Sequence, residues 1–192
     1  MREELELELQ NRFEWLRRPD LASKRTLKYE PVAGYSNYDN FGTEIQDGWY
    51  ALVVEMFTKV EDLYKKEGIE PDYKLSQLKS KFGKLKCYGG RLGNEPGIHA
   101  IDMLGGYGVR FYSEEVDKLT ESINDVVREY EAKSAKCCEY CGEQSDDVML
   151  RKKPPVFRWV ATLCTNCMEE RIALYNGKME ESIQKKIEDF IE

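Results

Sequence analysis

Apolar positions recur at intervals of three and four between residues 48 and 67. There Trp49, Leu52, Val53, Met56, Val60 and Leu63 share one helical face. Asp47 stands at the N-cap position, and Gly68 with Pro71 beyond it supplies the stop. The pattern changes over 73–88, YKLSQLKSKFGKLKCY, which predicts a hairpin turning near Lys81–Lys84. Seven of the 14 glycines fall in 89–108, which predicts a loop excursion returning as a short strand, GVRFY, at 108–112. Ser113 then caps a predicted helix over 114–131, with Glu114 and Glu115 at its positive end and Val116, Leu119, Ile123, Val127 and Tyr130 along its buried stripe. Two further helical pieces, 168–176 and 178–191, are separated at Asn176-Gly177. The start is ambiguous: the Glu-Leu alternation at 4–9 has period two, yet Leu5, Leu9, Phe13 and Leu16 also fit a helical stripe. Residues 20–46 read as a long irregular connection rich in Tyr (Tyr29, Tyr35, Tyr38), Asn and Gly.

Composition narrows the class. The chain has 192 residues, 41% apolar and 34% charged, with a net charge of −7. That suffices for one core, or a core and a small module. Both charge signs are present, against wholesale disorder, and the acidic balance argues against a generic nucleic-acid coat or membrane-surface protein. No apolar run reaches the ~18 residues of a membrane span. REELELELQ after Met1 lacks the apolar centre of a signal peptide. The expected setting is cytoplasmic, where six cysteines are not disulfides.

The strongest chemical signal is Cys138-Glu-Tyr-Cys141-Gly142, followed after 22 residues by Cys164-Thr-Asn-Cys167. Two C-x2-C pairs at this separation have zinc-ribbon spacing, because each pair sits on a tight turn and a hairpin can bring four sulfurs into a tetrahedron. The competing readings are two unrelated pairs of reduced thiols, or a redox motif, which needs only one pair at a strand–helix junction. Cys137 offers another register with Cys141, but Cys138 keeps both pairs at x2, so Cys137 reads as a spectator and Cys87 as core. Four sulfur ligands leave no open position, so one structural zinc per chain is expected rather than a catalytic one.

Residues 69–91 hold six basic and two acidic groups inside an otherwise acidic chain. Lys79 and Lys81 share one strand face, with Lys84 and Lys86 on the returning strand, which makes a candidate surface for an anionic partner. The plainer reading is a solvated sheet face whose lysines discourage edge pairing. His99, the only histidine, stands near Asp102, but no nucleophile motif accompanies it. Gly105-Gly106-Tyr107-Gly108 precedes a strand and lacks the dinucleotide fingerprint. The Tyr-rich stretch can stack bases or pack over the sheet.

Three linked pieces carry a resemblance: Asp47-Gly48-Trp49-Tyr50 opening a helix, Lys81-Phe82-Gly83-Lys84-Leu85-Lys86-Cys87-Tyr88 in the hairpin, and Cys138-Glu-Tyr-Cys141-Gly142 after a helix. Trp159-Val-Ala-Thr162-Leu-Cys164-Thr-Asn-Cys167 completes the order. Over residues 45–168 the chain resembles a group of small proteins encoded by bacteriophages and bacteria, with a D-G-W helix start, a K-F-G-x-L-R-x-Y hairpin and a C-x-x-C-G knuckle. It departs from them at Lys86, where Arg is usual, at Cys87, where an aromatic is usual, and in the Gly-rich insertion at 89–107. The resemblance implies a phage or bacterial cytosolic setting and brings no activity with it.

Together these readings predict an α+β fold: a small antiparallel sheet packed with helices over 1–134, then a four-cysteine zinc-ribbon module with C-terminal helices over 135–192. The expected function is a non-enzymatic binding protein engaging a host protein, such as a defence or regulatory component. The alternatives are nucleic-acid or nucleotide binding through the basic hairpin, and an enzyme working around His99.

Overall fold

The computed structural model describes residues 1–24, 30–92, 98–103, 107–111, 116–153 and 159–191, with side chains for all of these except 98–103, 107–111, 153, 159 and 183–191. The opening Glu-Leu segment is helix α1 (Glu3–Arg12). Leu9 enters the core, and so does Glu6, because Arg18 pairs with it at 2.7 Å and the N–H and hydroxyl of Thr43 donate to its other oxygen. The connection read as irregular contains α2 (Asn37–Phe41), opened by a Ser36–Asp39 capping box, and β1 (Thr43–Glu44). Tyr38 of α2 is buried, its hydroxyl donating to the Leu16 carbonyl, so it packs rather than presenting a stacking face.

A 3-10 turn at Asp47–Trp49 leads into α3 (Tyr50–Glu67), which Gly68 stops in the left-handed conformation. Asp47 does not cap α3; its carboxylate accepts the backbone N–H of Arg2 and pairs with the Arg2 guanidinium. β2 (Tyr73–Lys81) and β3 (Lys84–Arg91) form the predicted hairpin. Phe82 (φ 54°) and Gly83 (φ 71°) are both left-handed at the turn, as a two-residue hairpin requires.

The Gly-rich excursion is more regular than expected. β3 continues through Gly89 and Gly90 to Arg91, and β4 (Ile98–Met103) pairs with β5 (Tyr107–Phe111). Gly89 is needed in its strand because a Cβ there would lie 2.7 Å from the Tyr73 ring that crosses it. α4 (Lys118–Lys133) begins later than the sequence suggested, with the Asp117 carboxylate accepting the Thr120 N–H at 2.8 Å. The cap expected at Ser113 and the acidic pair Glu114 and Glu115 lie outside the described residues.

After α4 come β6 (Met149–Lys153) and β7 (Trp159–Leu163), an antiparallel pair, and α5 (Thr165–Ile191). The two C-terminal helices predicted from Asn176-Gly177 are a single helix. One glycine costs about 1 kcal/mol in a helix interior, less than a break that requires a second nucleus.

The architecture is α+β. The three-stranded sheet has order β1-β2-β3 and is mixed rather than wholly antiparallel, because β1 runs parallel to β2 with Thr43 opposite Leu78. The main core gathers Leu9, Phe13, Trp49, Val53, Phe57, Tyr64, Leu78, Leu85, Ile123 and Tyr130. α4 covers the outer edge of β3: Glu131 accepts the Cys87 N–H and the Ser134 hydroxyl accepts the Leu85 N–H. Those side chains fill edge positions that would otherwise invite another strand. A second, smaller core holds Cys138, Val148, Ala161, Leu163, Cys164 and Cys167. The two meet between Cys137, in the main core, and Cys138, in the smaller one. Among the described residues no helix is long and apolar enough to cross a membrane.

Candidate metal centre

Cys138 and Cys141 lie on the turn after α4, and Cys164 and Cys167 on the turn that starts α5. The β6–β7 hairpin folds one pair onto the other. The four Sγ atoms all lie within 4.8 Å of one another, with Cys141 and Cys164 at 3.7 Å. A tetrahedral metal with sulfur bonds near 2.3 Å separates its ligands by about 3.8 Å, so the cluster is of the right size for one ion. Three of the four are buried and Cys141 is exposed. The amide of Cys167 points at the Cys164 sulfur at 3.5 Å. Burial pushes the Cys138 thiol up, but backbone N–H groups of Cys141, Cys164 and Tyr140 outweigh it and hold the thiol below its ordinary value. Cys164 is pushed up to about 11, mainly by burial. A bound divalent cation would hold these sulfurs as thiolates.

Cys137 is turned away from this set. Its sulfur faces the Gly48 and Gly142 carbonyls at 3.8 and 3.6 Å, and burial, then the neighbouring Cys138 and Cys141, push it up to about 11. Cys87 is in the core, 1% exposed, facing the Tyr73 hydroxyl.

The cluster is fastened to the main core by residues whose role the spacing did not reveal. The Gly48 N–H donates to the Glu139 carbonyl at 2.9 Å, and the Trp49 indole donates to the Cys137 carbonyl at 2.8 Å. A Cβ on Gly48 would lie 2.5 Å from the Gly142 nitrogen, so the two glycines allow backbone to lie on backbone. At the hairpin tip, the Thr162 hydroxyl donates to the Gly83 carbonyl at 2.5 Å. Thr162 and Glu139 are joined twice, by Glu139 N–H to the Thr162 carbonyl and Thr162 N–H to the Glu139 carboxylate, both 2.9 Å. The D-G-W start, the K-F-G turn, the knuckle glycine and the threonine before Cys164 thus converge on one junction. Their fixed order along the chain was the only signal in the sequence.

The lysines are placed by register. Lys79 lies opposite Lys86 and Lys81 opposite Lys84, so all four start from one face of the hairpin. They do not remain alike. Lys86 is 5% exposed and pairs with Glu131 at 3.3 Å, so the expected four-lysine surface loses this member to the acidic helix behind β3. Lys79 lies over the Tyr88 ring and Lys81 over the Phe82 ring, at 5.3 and 5.5 Å. The side chains of His99 and Asp102 on β4 lie outside the described residues. No protein family, curated protein or solved structure matches the chain.

Proposed function

We propose that the chain is a non-enzymatic binding protein of phage or bacterial origin, stabilised by one structural zinc ion, that engages an anionic surface of a host protein. The observation that carries the metal assignment is the closed set of four thiols on two turns. Thiolates select a soft or borderline cation, and an all-sulfur tetrahedral set is the usual structural zinc site. Cys138, Cys141, Cys164 and Cys167 would hold the ion, whose chemistry is to close the β6–β7 hairpin onto the main core. Phage or bacterial origin is supported by the ordered motifs through residues 45–168.

The partner surface is the outer face of the hairpin, with Lys79, Lys81 and Lys84 as its charges. Lys86 serves the fold. A defence or regulatory component of the host is the partner class in view. The half-buried Phe82 ring under Lys81 sets an aromatic beside a cation, the combination used on nucleic-acid bases and backbones, and this keeps nucleic-acid binding as the second reading.

The test pairs metal analysis with charge reversal. Freshly prepared chain is expected to carry one zinc. K79E/K81E is expected to keep that zinc and its melting temperature while losing partner capture from host lysate. Lowered stability with unchanged capture would assign the lysines to the fold. A gel shift that weakens steeply with salt would move the assignment to nucleic acid.

A further inference from the structure

The turn of the β2–β3 hairpin is not made by its own sequence. Two-residue turns with positive φ at both central positions favour Asn-Gly or Asp-Gly. Here the first central residue is Phe82 at φ 54°, a conformation that costs a bulky side chain energy and persists only where its surroundings enforce it. Charge opposes the turn as well. Lys81 lies directly opposite Lys84, and Lys79 opposite Lys86, and like charges across a strand pair destabilise it.

The supports of the sheet end before the turn. β1 reaches along β2 no farther than Lys79, and the Ser134 hydroxyl holds β3 at Leu85. Beyond them, among the described residues, the turn meets the β6–β7 hairpin. The Thr162 hydroxyl donates to the Gly83 carbonyl at 2.5 Å, and a Cβ on Gly83 would lie 2.2 Å from Cδ1 of Leu150. Thr162 stands two residues before Cys164. Its carbonyl accepts the N–H of Glu139, the neighbour of Cys138, and its own N–H donates to the Glu139 carboxylate. Closing one cysteine pair onto the other therefore fixes the residue that holds the turn.

We propose that occupancy of the four-cysteine site sets the shape of the lysine face. The metal-loaded chain holds the Phe82–Gly83 turn closed through Thr162 and Leu150. Loss of the metal frees that grip, the turn opens, and Lys81 and Lys84 separate, so that an anionic partner meets its surface on the loaded chain. This coupling rests on the zinc site and the lysine surface proposed above.

Amide hydrogen exchange of the full chain, followed residue by residue, tests the coupling. In the zinc-loaded parent Lys81 and Lys84 are expected to be protected. Thr162→Val removes the hydroxyl and keeps the backbone bonds to Glu139. The loaded variant is expected to retain zinc and to exchange roughly tenfold faster at Lys81 and Lys84, the factor that one buried hydrogen bond supplies, with Val53 in α3 unchanged. Thr162→Ser, which restores the hydroxyl, is expected to match the parent. Chelating the parent is expected to raise exchange at Lys81 and Lys84 by at least as much as Thr162→Val does. Unchanged exchange at these two positions, in the loaded Thr162→Val chain or in the chelated parent, overturns the proposal. An equal rise at Val53 in loaded Thr162→Val marks general loosening and overturns it too. Partner capture that survives in K79E/K81E counts against the partner surface alone, since exchange reads the turn without a partner.

Discussion

Trp49 and Cys137 are separated by 88 residues of chain and joined by one buried hydrogen bond, from the indole Nε1 to the backbone carbonyl at 2.8 Å. The indole is fully buried in the main core, and the carbonyl belongs to the residue immediately before the first candidate metal ligand. The bond therefore ties the position of the cysteine cluster to the packing around α3. Trp49→Phe keeps most of the apolar volume and leaves that carbonyl without its partner. The expected loss is about 1–3 kcal/mol, read from denaturant midpoints. A change below about 0.5 kcal/mol, the usual size for an uninvolved surface site, would show that the bond does not couple the two regions.

Metal removal is expected to act on the whole chain. Structural zinc contributes on the order of 10 kcal/mol of binding free energy, available only to the folded site. Chelation should lower the melting temperature seen by near-ultraviolet signals from Trp49, not only signals from the ribbon. Cys138→Ser and Cys164→Ser should each lose the metal, whereas Cys137→Ser should keep it. Metal loss in Cys137→Ser with retention in Cys138→Ser would shift the ligand register by one residue.

Two glycines should respond with opposite sign. Gly142 has φ +80°, and a Cβ there would lie 2.8 Å from the Gly48 carbonyl oxygen, so Gly142→Ala should displace the knuckle and lower both stability and metal retention. Gly177 lies within α5, and nothing lies within 4 Å of a Cβ built there. Gly177→Ala should raise the helix's stability by up to about 1 kcal/mol. Thermal melts of the two variants beside the parent chain check both directions.

The buried pair of Lys86 and Glu131 is asymmetric in its consequences. Glu131 accepts from the Lys86 ammonium at 3.3 Å and from the Cys87 N–H at 3.0 Å, so it satisfies both a charge and a strand edge. Glu131→Ala removes both bonds and should cost about 3–5 kcal/mol. The double variant Lys86→Met, Glu131→Gln keeps an acceptor for the edge bond and strands no buried charge, and should cost clearly less. Equal losses in the two variants, measured by urea unfolding, would mean that the edge bond contributes nothing.

What the sequence disclosed divides along the range of the interactions. α3 was legible because its stripe and its stop at Gly68 are local. The β2–β3 hairpin was legible because the turn falls between two short runs. The cysteine cluster was legible because ligand spacing encodes geometry. α1 was ambiguous, since the burial of Glu6 depends on Arg18 and Thr43. β1 is two residues long and pairs with a strand more than thirty positions away, beyond any periodic signal. The glycines of β3 read as loop because their reason, the Tyr73 ring, sits on the neighbouring strand. Lys86 follows the outward alternation of its neighbours, and only the placement of α4 turns it inward.

Acid sensitivity should centre on Asp72. Arg91 grips it with Nε and Nη2 at 2.9 and 3.1 Å and reaches Asp117 with Nη1 at 2.7 Å, while the Tyr64 hydroxyl donates to Asp72 at 2.7 Å. The cluster thereby joins the end of α3, the start of β2, the end of β3 and the cap of α4. Burial pushes the Asp72 carboxyl up, but the hydrogen bonds from Arg91 and Tyr64 and the charge of Arg91 outweigh it, so the group titrates below its ordinary value. Asp117 is also lowered, first by the Thr120 N–H and further by Arg91. A carboxylate whose folded value is depressed stabilises the fold above its unfolded value, about 3.9, and loses that contribution as pH falls through the folded value. The parent chain should therefore melt higher than Asp72→Asn at neutral pH, with the gap unchanged down to about pH 5 and closing below about pH 4. Arg91→Lys, which loses the two-pronged grip, should show a smaller gap over the same window. Melting temperatures of the three chains at a series of pH values decide the matter: a gap of constant size down to about pH 2 would mean that Asp72 acts by its shape and hydrogen bonds and not by its charge.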